Sequence, residues 1–380
     1  MNADQLTDGL QTPFLLIDKN KLRTNVHRLQ SRIENLGAVL RPHLKTVRSI
    51  EATALILPEL SAPATVSTLA EAEALANAGY DNLLYAVGIS TNKLARVAEL
   101  LRRGINLHIL LDSLEQADAV ADYGLAHGVT FSAFIEIDCD GHRGGLPESS
   151  PQVINIARRL SDPGARFQGL LTHAGESYSC TTDECIRAAA RQECDALRKT
   201  AALLQREGID CPVLSVGSTP TAHFAEDLTG ISEVRAGVFS LFDLFMHNVG
   251  VCNMDDIAVS IVATVIGHNA QRNTLFIDAG WMALSRDRGT ASQKCDYLYG
   301  QVCDMSGTVL AGVKVSSANQ EHGVVVLPAD SPYLLADFPI GSRLRILPNH
   351  ACATTAMHLQ YQAIDEQEGT REVWTRITGW

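Results

Sequence analysis

No stretch of the sequence contains the roughly 20 consecutive apolar residues that a membrane-spanning helix needs, so we expect no membrane association. The first residues, "MNADQLTDGLQTPFLLID", lack the basic segment before an apolar core that is typical of a secretory signal. We therefore expect the protein to work in the cytoplasm.

Paired cysteines and an excess of positive charge are missing as well. The nine cysteines are scattered and form no CxxC pair, which is typical of mostly reduced thiols. The 31 Lys and Arg residues stand against 43 Asp and Glu residues, giving a net charge of -12. A chain this acidic repels a polyanion, so nucleic acid is not an expected partner.

The central part of the chain alternates between short apolar runs and amphipathic helical patterns. The first predicted helix spans Asn20–Leu36, and two later helices open with the capping pairs Thr68/Glu71 and Ser113/Gln116. Between Ala38 and Gly237, eight runs resemble buried strands: "AVLRPHL", "ATVST", "NLLYAV", "NLHILLD", "FSAFIEID", "FQGLLTH", "PVLSVG" and "EVRAG". This α/β pattern predicts a TIM-type (β/α)8 barrel in preference to an open doubly wound sheet.

Beyond Val251 the pattern changes to strand-like runs that are broken by Gly, Pro and Asn. A chain of 380 residues also exceeds what one hydrophobic core usually accommodates. We therefore predict a barrel over residues 19–251 and a C-terminal mainly-β domain over 252–380. The early run "PFLLID" is strand-like too, so residues 1–18 are assigned to the β domain.

Candidate reactive groups follow the predicted strands, because barrel enzymes place their catalytic groups at the carboxyl ends of strands. Lys45 follows the first strand, where a partly desolvated amine could form an imine with an aldehyde cofactor. Taken alone, a lysine at this position is more often a surface residue that opens the next helix. Other candidates after the fifth and sixth strands are Asp138, His142, Arg143, His173 and Tyr178.

The seventh and eighth strands are followed by residues that suit a phosphate group. Ser218 and Thr219 open a predicted helix, and Gly237 allows close approach of the backbone. An ordinary N-cap would explain Ser218 as well. Two adjacent loops of this kind after strands seven and eight match the usual phosphate site of a barrel.

Seven stretches carry a resemblance to a known family: "RPHLKT", "GLLTHAGESY", "SVGSTPT", "EVRAG", "DAGWMALS", "EHG" and "PNHAC". They occur in the order seen in the alanine-racemase-like (fold type III) pyridoxal phosphate enzymes. Along nearly the whole chain, the sequence resembles the D-threonine aldolase and D-serine dehydratase family.

The resemblance implies a role for each matching residue. Lys45 would carry pyridoxal 5'-phosphate as a Schiff base, His173 would lie near the pyridine ring, and Tyr178 would contact the cofactor. Arg143 falls where related enzymes place a basic group near the ring. The phosphate would be held by Ser218, Thr219, Gly237 and Val238, the last through its backbone.

A divalent metal is the second expected cofactor, because hydroxide is a poor leaving group and a Lewis acid stabilises its departure. His350 and Cys352 could bind one ion from an extended strand end, where alternate residues share a face. Without the resemblance, a buried histidine beside a bystander thiol would explain them too. In the dehydratase branch the resemblance places His and Cys at these positions, so Cys352 favours a dehydratase. Zinc suits these ligands, but manganese or cobalt could serve; His322 and His358 are possible accessories.

The resemblance implies a lyase that converts a D-3-hydroxy amino acid into a 2-keto acid and ammonia. D-threo-3-hydroxyaspartate (giving oxaloacetate) and D-serine (giving pyruvate) are the favoured substrates, and a homodimer is expected. A second carboxylate would need a cation such as Arg143, Arg286, Arg288 or the metal. The alternatives are a D-threonine aldolase, a racemase and a non-enzymatic pyridoxal phosphate homeostasis protein, which lacks a C-terminal β domain.

Overall fold

The computed structural model describes residues 1–141 and 143–380. Contacts divide the chain into two compact units, one of residues 1–26 with 238–376 and the other of residues 27–237 with 377–380. These limits differ from the predicted boundaries near 19 and 251. The assignment of the cofactor to one domain and of the metal to the other stays a prediction.

The helices alternate with strands through the first two thirds of the described residues. In chain order they are α1 (Ala3–Leu6), α2 (Lys19–Asn35), α3 (Ile50–Ile56), α4 (Leu69–Asn77), α5 (Leu94–Arg102), α6 (Leu114–His127), α7 (Gln152–Arg159), α8 (Asp183–Arg206), α9 (Thr219–Phe224), α10 (Leu244–Val249), α11 (Trp281–Leu284) and α12 (Ala351–Thr355). None of them is long and apolar enough to cross a membrane.

The strands fall into two sheets. In chain order they are β1 (Phe14–Asp18), β2 (Val39–Leu40), β3 (Ala64–Val66), β4 (Asn82–Gly88), β5 (Asn106–Leu111), β6 (Phe131–Asp138), β7 (Leu146–Pro147), β8 (Ala165–Thr172), β9 (Val213–Val216), β10 (Glu233–Val234), β11 (Val259–Asn269), β12 (Thr274–Ile277), β13 (Gln301–Cys303), β14 (Val309–Ala318), β15 (Gly323–Val326), β16 (Arg343–Leu347), β17 (Gln360–Asp365) and β18 (Thr370–Thr375).

The parallel sheet confirms the predicted barrel, and each of the eight apolar runs overlaps one of its strands. Neighbouring strands pair in the order β2-β10-β9-β8-β6-β5-β4-β3, with the two-residue β7 beside β6. A parallel bridge between His43, which lies three residues beyond β2, and Thr65 in β3 connects the two edge strands of this order. The strands read as nearly continuous apolar runs because parallel strands are covered on both faces.

Inside the barrel, an apolar layer lies beside a buried polar network. Leu84, Leu110, Phe134 and Leu171 form the apolar layer. In the network, Glu233 accepts a hydrogen bond from the hydroxyl of Ser215 at 2.7 Å and pairs with the guanidinium of Arg41 at 2.7 Å. Arg235 donates to the same Ser215 hydroxyl and to the carbonyl of Thr172 at 2.6 Å. The donors and acceptors of one strand are thus satisfied by groups of its neighbours.

Both predicted capping pairs lie at the start of a helix. One pair caps its helix reciprocally, whereas in the other the glutamate side chain accepts from a different residue. Ser113 and Gln116 form a reciprocal capping box at the start of α6. The hydroxyl of Thr68 accepts from the backbone N–H of Glu71, but the Glu71 carboxylate accepts from the N–H of Ser67. These caps fix the joints that follow β3 and β5.

The mainly-β unit confirms the predicted change of fold class after the barrel. Its nine strands pair in the order β12-β15-β14-β13-β16-β11-β1-β17-β18, and an additional pairing joins β12 to β11. The strand-like run near the start of the chain belongs to this sheet, because β1 pairs with β11 and with β17. The core on one side consists of side chains from β11 to β16, among them Ile261, Val315 and Ile346.

One cysteine pair departs from the expectation of scattered thiols. Cys180 and Cys185 form a disulfide, and the other seven cysteines are free. The two bonded residues are only five positions apart and join the end of a short 3₁₀ turn to the first turn of α8.

Candidate active site

Lys45 lies in a 3₁₀ turn, Leu44–Thr46, that begins shortly after strand β2 ends. The preceding residue His43 caps this turn, and its own N–H donates to the carbonyl of Ala236 at 2.7 Å. The lysine is therefore at the carboxyl end of the first barrel strand, as predicted. Its side chain is exposed, which contradicts the expectation of a partly desolvated amine.

Two histidines accompany Lys45, and both are held neutral. Burial lowers the pKa of His43 well below its usual range, and the positive charges of Lys45 and Arg235 lower it further. Burial likewise lowers the pKa of His173 to about 3, although a hydrogen bond to Gly217 opposes this shift. Nδ1 of His173 donates to the carbonyl of Gly217 at 2.9 Å, so Nε2 carries the lone pair.

Tyr178 and Arg143 lie on the loops that follow β8 and β6. The rings of Tyr178 and His173 are 6.1 Å apart between centroids and tilted by 45°. Arg143 is exposed, and its guanidinium lies 3.8 Å from the carboxylate of Glu136. Its charge contributes to the lowered pKa of His173, so the two side chains act on each other electrostatically. His142 lies outside the described residues.

The loop after β9 has features of an anion-binding site and also features of an ordinary helix N-cap. Ser218 is the N-cap of α9, and its hydroxyl accepts from the N–H of Thr221 and lies 2.7 Å from the hydroxyl of Ser177. The hydroxyl oxygen of Thr219 is buried and, within the described part of the chain, has no hydrogen-bond partner. A buried hydroxyl without a partner is costly, so this oxygen indicates a missing polar ligand.

The neighbouring loop after β10 is closely packed at Gly237. A Cβ atom added there would lie 3.2 Å from the carbonyl oxygen of His43 and 3.3 Å from its Cβ. Val238, the next residue, is buried and opens a 3₁₀ turn. The partnerless Thr219 hydroxyl and the tight glycine therefore fit a phosphate group, and Lys45 offers the amine that an aldehyde cofactor requires.

His350 and Cys352, the predicted metal ligands, lie next to each other, but not on a strand. β16 ends at Leu347; His350 has extended backbone angles and caps α12, and Cys352 lies in the first turn of that helix. The expectation of two alternate residues on an extended strand is therefore wrong. The side chains nevertheless interact, because a hydrogen bond from the His350 ring to Cys352 contributes to the raised pKa of His350.

Asp287 is bound to the same histidine. Its Oδ2 accepts a hydrogen bond from Nδ1 of His350 at 2.7 Å. Burial lowers the pKa of His350, but the hydrogen bonds with Asp287 and Cys352 outweigh that effect and raise it above its usual range. An imidazole whose Nδ1 is engaged and a thiol beside it are a donor set that fits zinc and similar ions.

The two accessory histidines have other partners. Nε2 of His358 lies 2.9 Å from the carbonyl of Ala283, and the carbonyl of His322 accepts from the N–H of Asn319 in the turn between β14 and β15. Across residues 1–141 and 143–380, no three His, Cys, Asp or Glu side chains are arranged as a complete metal cage. Of the predicted metal-binding residues, the structure brings together His350 and Cys352.

Two family models match successive parts of the chain. The model of the alanine racemase N-terminal domain matches residues 17–244, and that of the putative serine dehydratase domain matches residues 258–364. D-threo-3-hydroxyaspartate dehydratase of Delftia sp. strain HT23 is 46% identical over 374 residues, covering 98% of both chains. The chain belongs to the D-serine dehydratase family of alanine-racemase-like enzymes.

Two further relatives in this family bear on the site. D-serine dehydratase of Dictyostelium discoideum is 30% identical over 384 residues, covering 96% of this chain and 95% of that protein. A solved cysteine-to-alanine variant of D-threo-3-hydroxyaspartate dehydratase, in the metal-free form, has a TM-score of 0.95 and 45% identity, covering 98% of this chain and 99% of that one. The family is one of fold type III pyridoxal phosphate enzymes, and its characterised relatives are dehydratases that act on D-hydroxyamino acids.

Two buried groups of this family member were missed in the sequence. Arg235 is buried in the barrel beside His43 and His173, whose pKa values it lowers. Glu193 on α8 accepts from the N–H of Gly217 at 3.1 Å, and burial raises the pKa of its carboxyl to about 7. The only sequence feature that pointed to Arg235 was a positive charge inside the apolar run "EVRAG". No sequence feature pointed to Glu193.

Proposed function

We propose that this chain is a pyridoxal phosphate- and divalent-metal-dependent dehydratase of D-3-hydroxy amino acids. The substrates are D-threo-3-hydroxyaspartate, which gives oxaloacetate and ammonia, and D-serine, which gives pyruvate and ammonia. The observation that carries the proposal is the interacting pair His350 and Cys352, since elimination of hydroxide calls for a Lewis acid. The 46% identity to a D-threo-3-hydroxyaspartate dehydratase supports the choice of substrate.

The cofactor supplies an electron sink that acidifies the α-hydrogen of an amino acid, and the metal supplies a Lewis acid for the β-hydroxyl. Lys45 would hold the cofactor through Nζ, and its amine would take the α-proton of the amino acid. Thr219, Ser218 and the backbone at Gly237 and Val238 hold the phosphate. His350 and Cys352 hold the metal, for which we propose zinc, with manganese or cobalt as substitutes.

The side chains around Lys45 determine the electrostatic environment of its amine. His173 stays neutral because it is buried, and its hydrogen bond to Gly217 fixes the ring. Tyr178 contacts the cofactor and Arg143 supplies positive charge near its ring. Water lost with the β-hydroxyl is regained on hydrolysis of the product, so the net reaction releases one ammonia per keto acid. We propose that the enzyme works as a homodimer in the cytoplasm.

The test measures ammonia and 2-keto acid release from D-threo-3-hydroxyaspartate, D-serine and D-threonine, with and without added metal, and glycine in parallel. We expect metal-dependent ammonia without glycine, and loss of activity in a chelator. A His350→Ala/Cys352→Ala double variant should lose activity, whereas Cys211→Ala, a thiol in the other unit, should retain it. Glycine and an aldehyde would instead identify an aldolase, and retained activity in the double variant would disprove the metal role.

A further inference from the structure

The carboxylate of Asp287 is held at both oxygens. Oδ2 accepts from Nδ1 of His350 at 2.7 Å, and Oδ1 accepts from the backbone N–H of Gly289 at 2.9 Å. The N–H of Asp287 itself donates to the hydroxyl of Ser285 at 3.1 Å. A carboxylate fixed in this way can present one oxygen to the imidazole in a single orientation.

The backbone around Asp287 is specialised for this position. Ser285 has a φ of +74°, a conformation that residues with a Cβ rarely adopt. The side chain of Asn349, next to His350, donates to the carbonyls of Leu298 at 2.6 Å and of Asp287 at 3.4 Å. Asn349 therefore ties the histidine to the loop that carries its carboxylate partner.

The other side of His350 is anchored as well. The N–H of Ala351 donates to the buried carboxylate of Asp243 at 2.8 Å, and a second N–H, that of Met246, donates to the same carboxylate at 2.9 Å. His350 is thus fixed by its neighbours on both sides, and its ring by Asp287. A solitary surface ion pair contributes little to stability and needs no such scaffold.

The geometry leaves one nitrogen of His350 for a ligand. Nδ1 donates to Asp287, so Nε2 is the nitrogen that can bind an ion once it has lost its proton, and the side chain of Cys352 interacts with the same ring. The side chains of His350 and Asp287 are 41% and 37% exposed, which leaves access for an ion. Metal-binding histidines commonly donate their other N–H to a carboxylate, which orients the ring and raises its basicity.

We propose that Asp287 is a positioning residue for the metal: it holds the His350 ring so that Nε2 and the Cys352 sulfur face one divalent cation. It acts through His350 and is not itself a ligand. This inference rests on the metal dependence in the proposed function. Asp287 is thus a third residue of the metal site, beside the pair His350 and Cys352 that the sequence indicated. Its contribution to metal affinity can be measured.

The test is the affinity of the purified protein for Zn²⁺, measured in competition with a chromophoric chelator. Loss of a carboxylate that orients a ligating histidine typically weakens metal binding by about 10- to 100-fold, and we expect a loss of this size in Asp287→Ala. Asp287→Asn keeps a hydrogen-bond acceptor and should therefore retain part of the Zn²⁺ affinity that Asp287→Ala loses. Asp296→Asn is the matched control, because that carboxylate pairs with Arg288 and has no contact with His350 among the described residues.

A second readout separates positioning from general damage. With Co²⁺ in place of Zn²⁺, the absorption bands of the ion report its ligand geometry, and we expect them to change in Asp287→Ala and to remain in Asp296→Asn. Binding of pyridoxal phosphate, followed by its own absorbance, should be unchanged in both variants.

The outcomes distinguish this inference from the proposed function. If His350→Ala loses Zn²⁺ while Asp287→Ala binds it as tightly as the unaltered protein, the inference is wrong and the metal site stands. If the unaltered protein binds no divalent ion, the metal dependence fails and the inference fails with it. Weaker binding in Asp287→Ala with partial recovery in Asp287→Asn supports both.

Discussion

Nδ1 of His173 donates a hydrogen bond to the carbonyl oxygen of Gly217 at 2.9 Å. This bond links the loops after strands β8 and β9, which carry the histidine proposed to lie near the cofactor ring and the residues proposed to hold its phosphate. Gly217 is held from the other side too, because its N–H donates to the buried carboxyl of Glu193 at 3.1 Å. Its backbone has a φ of +136°, and an added Cβ would lie 2.1 Å from the carbonyl oxygen of Arg235.

Gly217→Ala should therefore abolish cofactor binding or unfold the barrel, since both the dihedral angle and the close approach forbid a side chain. We expect a loss of several kcal/mol, more than the roughly 1–2 kcal/mol of a left-handed conformation alone. Gly208→Ala is the control: it has a φ of +73° with no atom within 4 Å of the added Cβ. Chemical denaturation and cofactor absorbance of both variants test this, and equal losses would rule out the steric explanation.

Lys45→Ala should lower ammonia release by at least about 100-fold, the lower end of what a positioned acid or base contributes. The reason is that Lys45 is proposed both to hold the cofactor and to take the α-proton. The covalently bound cofactor absorbance should disappear with it. Lys199→Ala, which changes an exposed lysine paired with Glu148, should alter neither quantity. Residual covalent cofactor in Lys45→Ala would show that another lysine carries it.

Acid should destabilise the barrel through its buried neutral histidines. Burial lowers the pKa of His108 to about 4, and its Nδ1 lies 2.8 Å from the hydroxyl of Ser132. Between this value and the unfolded value of about 6.5, only the unfolded chain binds the proton, so the free energy of unfolding falls as the pH falls. Between about pH 7.5 and about pH 4.5 the free energy of unfolding should therefore fall by about 2 kcal/mol less in His108→Gln than in the unaltered protein.

Urea denaturation at the two pH values measures that difference. His127→Gln, which replaces an exposed histidine on α6, should leave the loss as it is in the unaltered protein. If His108→Gln retained the full pH dependence, His108 would not be the group whose protonation is linked to unfolding.

The sequence predicted the parts of the molecule that depend on local pattern. Apolar runs marked all eight barrel strands, and the lysine after the first run is where the structure places Lys45. It did not reveal Arg235, because the partners that allow a buried cation, Ser215 and Thr172, come from other strands. Asp287 was missed as the partner of His350 for the same reason, since 63 residues separate them.

Short helices and loops limited the prediction further. The five-residue helix α12 is too short to give a helical period, so Cys352 was expected on an extended segment. The exposure of Lys45 also depends on neighbouring loops, which local patterns do not describe. Residue types at strand ends are therefore predictable here, whereas their partners require the fold.

The ion pair of Arg41 and Glu233 offers a test of the barrel interior. Their side chains are 6% and 8% exposed and 2.7 Å apart, and Glu233 also accepts from Ser215. Removing one partner of a buried pair leaves an uncompensated charge, which typically costs about 3–5 kcal/mol. We expect a loss of this size in the free energy of unfolding of Glu233→Ala.

Replacing both charges should be milder. In Arg41→Met/Glu233→Leu neither member of the pair remains as a charge without its partner, so the loss should be smaller than that of Glu233→Ala alone. Because Ser215 and Arg235 share the network, the double variant should not recover fully. Denaturation of the single and double variants gives the comparison; a double variant less stable than Glu233→Ala would mean that shape, rather than charge, dominates at this position.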